Sequence, residues 1–160
     1  MKTDSFKSVG LLSYKGKGNF FNYAIRAWTF SEFSHSELVI DNEYMFSADS
    51  RLNLVRLRPY DVSIENWEYL DLTHLVKNFD FSIAQQMQGH KYDYRGILLS
   101  QVIPFGIHAK KRWFCSEACY HLLEKWGVLD GSYDANMVSP EILQREAVKA
   151  LRASENITRS

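Results

Sequence analysis

Two different spacings of apolar residues occupy two different stretches of this chain, and that division limits its possible folds more than any other feature. Up to about Leu72 the pattern is mostly one of short alternating runs bounded by turn formers; beyond Thr73 it lengthens to helical spacing. Ser8 to Tyr14 reads as a first strand, and Lys15-Gly16-Lys17-Gly18-Asn19 as a loop. Gly18 or Asn19 can cap a short helix from Phe20 to Trp28, in which Phe21, Ala24, Ile25 and Trp28 share a face. Ser34 to Ile40 is the next strand, Asp41-Asn42-Glu43 a tight turn, and Tyr44 to Ala48 the hairpin partner. Leu52 to Leu57 alternates Leu and Val with Asn and Arg, and Trp67 to Leu72 is a further short strand.

The second stretch predicts helices. Thr73 to Gln88 has helical spacing and stops at Gly89, and His90 to Tyr94 reads as a loop. Asp93 can cap a helix from Arg95 to Val102, ended by Pro104. Lys110 to Phe114 is extended, and Ser116 to Trp126 is a helix that Gly127 terminates. Ser139-Pro140-Glu141 opens a last helix to about Ala153 with proline at its first position. Strands early and helices late predict an α+β fold, a small antiparallel sheet packed on helices. The 160 residues suit a single domain over residues 1–153, with 154–160 as a frayed tail.

Charge and cysteine usage narrow the function classes. Lys plus Arg and Asp plus Glu both number 19, so no net field draws the chain to nucleic acid or anionic lipid. The longest greasy stretch, Gly96 to Ile107, is interrupted by Ser100, Gln101 and Pro104 and is too short for a membrane span. No apolar leader follows Met1, and the two thiols suit a reducing compartment, so the expected location is the cytoplasm. The histidines lack metal-ligand spacing, and Cys115, Cys119 and His121 form no second ligand pair, so neither a metal nor a cofactor is expected. Gly16-Lys17-Gly18 lacks the context of a phosphate loop, and there is no Gly-x-Ser-x-Gly elbow.

One stretch does carry chemistry. Trp113-Phe114-Cys115-Ser116-Glu117 places a cysteine at the start of the Ser116–Trp126 helix, where free backbone N–H groups and the helix dipole favour the thiolate. Cys119, one turn on, reads as a core cysteine packed on the sheet. The companion candidate is His35, in Ser34-His35-Ser36-Glu37-Leu38-Val39. Alternation puts His35, Glu37 and Val39 on one face of that strand and Ser34, Ser36, Leu38 and Ile40 on the other. Glu37 either orients the imidazole and supports its charge, or pairs with an Arg or Lys and takes no part in chemistry.

These residues, together with Tyr92-Asp93-x-x-Gly96, resemble the circularly permuted branch of the NlpC-like, papain-like cysteine hydrolases. That branch includes the YiiX/YaeF-type amidases and, more distantly, lecithin retinol acyltransferase, and the likeness is to small phage and bacterial members over roughly Val9 to Trp126. The resemblance implies a permuted papain-like fold in which the histidine strand precedes the cysteine helix, with Cys115 as nucleophile and His35 as base. It also implies a third polar residue on the following strand. Ser47 stands there, a weak orienter, and Glu37 is placed to take over that role. The implied activity is a thiol hydrolase, a peptidase or amidase acting on an amide, isopeptide or ester carbonyl of a peptide, peptidoglycan fragment or acyl substrate. The alternatives are an acyltransferase of the same family, or a non-catalytic binding module on the same fold.

Overall fold

A computed structural model describes residues 8–16, 32–49, 52, 54–61, 63, 65–92, 112–113, 115–134 and 137–158. Five antiparallel strands form the sheet: β1 (Val9–Tyr14), β2 (His35–Ile40), β3 (Tyr44–Asp49), β4 (Leu54–Pro59) and β5 (Trp67–Asp71), in the order β5-β1-β2-β3-β4. Two two-residue strands, β6 (Lys91–Tyr92) and β7 (Arg112–Trp113), extend the β4 edge, β6 antiparallel to β4 and β7 parallel to β6. The described helices are α1 (Phe81–Met87), α2 (Cys115–Lys125) and α3 (Pro140–Thr158). The chain is therefore α+β, as its hydrophobic spacing predicts. None of these helices is long and apolar enough to cross a membrane. The expected helices at 20–28 and 95–102 lie outside the described residues.

Period-two patterning gives the sheet two faces. Val9, Leu11, Leu38, Ile40, Phe46, Ala48 and Val55 belong to the core that also holds the helices. Leu12, Val39 and Met45 belong to a smaller apolar cluster with Tyr60 and Trp67. The β2–β3 turn uses Asp41 and Asn42 at φ 56° and 55°, left-handed conformations that these short polar residues tolerate, and closes by the Glu43 N–H donating to the Ile40 carbonyl.

Helix boundaries follow local chemistry. At the end of α2, Gly127 adopts φ 71°, its N–H bonds the Glu124 carbonyl and the Val128 N–H bonds that of Leu123, which is a Schellman ending. The Trp126 carbonyl, freed by this ending, accepts from the N–H groups of Lys77 and Asn78 at 2.9 and 3.2 Å. Those donations divide the expected Thr73–Gln88 helix. A 3-10 turn covers Thr73–Leu75, and α1 begins afresh at Phe81 behind an Asp80 cap that accepts from the Ser82 N–H. Pro140 opens α3, with the Ser139 hydroxyl accepting from the Ile142 N–H. The helix runs to Thr158, five residues past the expected end at Ala153, so residues 154–158 are helical rather than a frayed tail. Ser154 is tied there to His74 and to the Leu151 carbonyl.

Helix α3 is also fastened to the sheet through polar atoms. The Ser13 hydroxyl donates to Gln144 Oε1 at 2.5 Å, Gln144 Nε2 donates to Glu68 at 2.6 Å, and Glu68 pairs with Lys15. The link joins β1, β5 and α3 at the end of the sheet where His35 lies, since Tyr14 is in register with both His35 and Trp67.

Trp126 is fully buried, stacks on Phe79 at 4.9 Å and donates from its indole N–H to the Asp80 carbonyl at 3.0 Å. Trp126→Ala is expected to cost about 3–5 kcal/mol, read as a lower urea midpoint with an unchanged slope.

Candidate functional site

The site forms where the sheet is incomplete. Pairing between β2 and β3 covers only Leu38–Ile40 against Tyr44–Phe46, and Ser47, Ala48 and Asp49 pair with β4 alone. In a strand the N–H and C=O of one residue point to the same side, so Ser36 presents both groups to the gap. Helix α2 fills it. The Ser36 carbonyl accepts from the Cys119 thiol at 3.6 Å, and the Phe46 carbonyl lies 3.8 Å from the same sulfur. The Ser36 N–H is directed at the Cys115 sulfur. The Ser116 hydroxyl donates to the Val138 carbonyl at 2.6 Å, fixing the first turn of the helix to the segment that leads into α3.

This gap solves a geometric problem. By alternation His35 and Glu37 share the face of Val39, away from the helix-side core to which Cys115 belongs. An unbroken β2–β3 ladder would leave sulfur and imidazole on opposite faces. With the ladder open, the two side chains come close enough to act on one another's ionisation. The His35 ring also lies edge-on to Trp67, with centroids 6.0 Å apart, and Trp67 in turn packs on Tyr14 at 5.0 Å.

Glu37 makes both of the contacts that its sequence position leaves open, one to the imidazole and one to an arginine. Its Oε1 lies 3.0 Å from His35 Nε2, its Oε2 accepts from Arg58 Nη2 at 3.2 Å, and the Ser47 hydroxyl bonds the same carboxylate. Arg58 also pairs with Asp61. Ser47 thus acts on Glu37, and Glu37 is the group on the imidazole's second nitrogen. Arg58, Trp67 and Tyr14 were not identifiable as site residues from the chain alone. Arg58 belongs to the alternating run of β4, but only the register Met45↔Arg58 brings it beside Glu37.

The electrostatics follow from these contacts. Burial lowers the basicity of the His35 ring, but the Cys115 thiolate, by charge and hydrogen bond, and then Glu37 more than offset this and raise its pKa to about 10. Burial pushes the Cys115 thiol up, yet the charge and hydrogen bond of His35, then the N–H groups of Ser36 and Ser116, hold it below its ordinary value. For Glu37 burial is outweighed by the bond to His35 and its charge, then by Arg58 and Ser47, so its carboxyl lies below the usual range. Cys119 goes the other way, with burial and the charges of Cys115 and Glu37 keeping its thiol protonated. The two thiols are thus shifted in opposite directions, Cys115 down and Cys119 up.

Tyr94 and Trp28 lie outside the described residues. No group of three or more His, Cys, Asp or Glu side chains arranged to hold a metal occurs among the described residues. No protein-family model, curated protein or solved structure matches the chain.

Because the Glu37 carboxyl is held below its unfolded value, the stability it confers is present above the ordinary carboxylate range and is lost as the pH falls through it. Glu37→Gln is therefore expected to lower stability by about 1–3 kcal/mol at pH 7. In urea unfolding, the gap to wild type should narrow as the pH is taken below about 4.

Proposed function

We propose that the chain is a thiol hydrolase, a peptidase or amidase that uses Cys115 as nucleophile and His35 as acid and base. The observation that carries this reading is the Cys115–His35 contact, with Glu37 on the far nitrogen of the ring. Nε2 is engaged by Glu37, so Nδ1 is the nitrogen that serves the sulfur. The positive pole at the start of α2 and the Ser36 and Ser116 N–H groups favour the same ion pair. The histidine strand precedes the cysteine helix, the order that the resemblance to permuted papain-like hydrolases implies.

In the first step the Cys115 thiolate attacks a carbonyl carbon, and charge collects on the carbonyl oxygen. Backbone N–H groups at the helix start, that of Cys115 among them, stabilise the oxyanion by about 3–4 kcal/mol. Imidazolium His35 then gives its proton to the leaving amine or alkoxide, and the carbon–nitrogen or carbon–oxygen bond breaks to leave a thioester. Neutral His35 next takes a proton from water, whose oxygen attacks the thioester. The acid is released and the thiolate–imidazolium pair returns. Peptides, peptidoglycan fragments and acyl esters all present the carbonyl that this cycle needs.

The test is acyl transfer from p-nitrophenyl acetate, followed by intact mass. A stoichiometric acetyl adduct on Cys115, absent from Cys115→Ser while the fold is kept, is expected. An unchanged rate in Cys115→Ser overturns the assignment. The pH–rate profile supplies an independent check. Activity needs the thiol ionised and the imidazole protonated. It should rise below the ordinary thiol value of about 8.5 and fall as His35 loses its proton near pH 10.

A further inference from the structure

We infer that Arg58 is a positioning residue for the Cys115–His35 pair, acting through Glu37; this rests on the thiol-hydrolase reading above. The two oxygens of Glu37 are divided between two cations, Oε1 to His35 and Oε2 to Arg58. The Glu37 side chain is only 8% exposed, so its charge cannot be left without a partner cheaply. His35 must surrender its proton in every turnover, and a guanidinium never does. When the imidazole becomes neutral, Arg58 is the cation that remains on Glu37. Without it, the buried carboxylate would relieve its isolation by taking up a proton, and a neutral carboxyl supports imidazolium poorly. Arg58 itself is held by Asp61, so the guanidinium is forked between two carboxylates and aimed rather than loose. Among the described residues, the groups that face Glu37 are His35 on its own strand, Ser47 from β3, Arg58 from β4 and the Cys119 thiol from α2.

The experiment is the rate of Cys115 alkylation by iodoacetamide across pH, with the adduct located by peptide mass. Arg58→Gln is expected to react about tenfold more slowly than wild type at pH 6, with the two rates converging at alkaline pH where any thiol ionises. Arg58→Lys keeps a cation without the fork and should fall between them. In a Glu37→Gln background, Arg58→Gln should change the profile no further. A structural role unconnected with Glu37 predicts equal slowing in both backgrounds, and that result overturns the inference, as does an Arg58→Gln profile that superimposes on wild type. Circular dichroism checks folding. If Arg58→Gln does not fold, an Arg58→Lys profile identical to wild type overturns the inference instead. The two readings fail separately. A wild-type Cys115 that reacts with the pH dependence of an ordinary thiol removes the hydrolase assignment, whereas an activated wild type indifferent to residue 58 removes only the role of Arg58.

Discussion

The early end of the β2–β3 ladder, and its replacement by a helix, is the constraint on which the candidate site depends. A sheet normally separates its two faces completely, because every backbone group between adjacent strands is spent on the neighbour. Here the strands pair for only three residues each, and the Ser36 backbone turns to the first turn of α2. The Cys119 thiol donates into the breach, so the Ser36 carbonyl is not left dry, and the Phe46 carbonyl lies within reach of the same sulfur. The start of α2 therefore meets the sheet at the open ladder, beside Ser36. That position lets one side chain of the helix-side core reach an imidazole on the other face.

Around that breach the charges alternate in a single run: Asp61, Arg58, Glu37, His35, Cys115. Each member is steadied by an opposite neighbour, which is how the buried Glu37 keeps its charge in a small domain. The run also gives the two thiols different fates. Cys119, one turn from Cys115 and fully buried, sits beside negative groups that push its thiol well above the ordinary value, while Cys115 faces His35, which holds it below that value. Sequence spacing alone makes these cysteines near neighbours; the sheet makes them chemically unlike.

The sheet and the principal helices were legible in the residue pattern because each is encoded locally. Alternation in Val9–Tyr14 and His35–Ile40, the Asp41-Asn42 turn, Gly127 and Ser139-Pro140 all speak through their own neighbours. Where long-range contacts decide, local reading fell short. The Thr73–Gln88 stretch is divided by amides that bond the Trp126 carbonyl, a partner nearly fifty residues away. The end of α3 is lengthened past Ala153 through a segment that contacts His74. In the candidate site the same division holds. That His35 and Glu37 share a face follows from period two. That Arg58 meets Glu37 depends on the register of β3 with β4, and that Cys115 meets His35 depends on an interrupted ladder, which no single segment announces.

The bond from Ser13 to Gln144 spans 131 positions of the chain. A ribosome adding about 5–20 residues per second would present the second partner roughly 7–26 s after the first. For that interval the buried Ser13 hydroxyl on the inner face of β1 lacks its partner on α3. A nascent chain of this protein therefore carries a half-covered sheet until the final helix emerges, and its exposure to holdase chaperones is set by the order of its elements rather than by their individual strength.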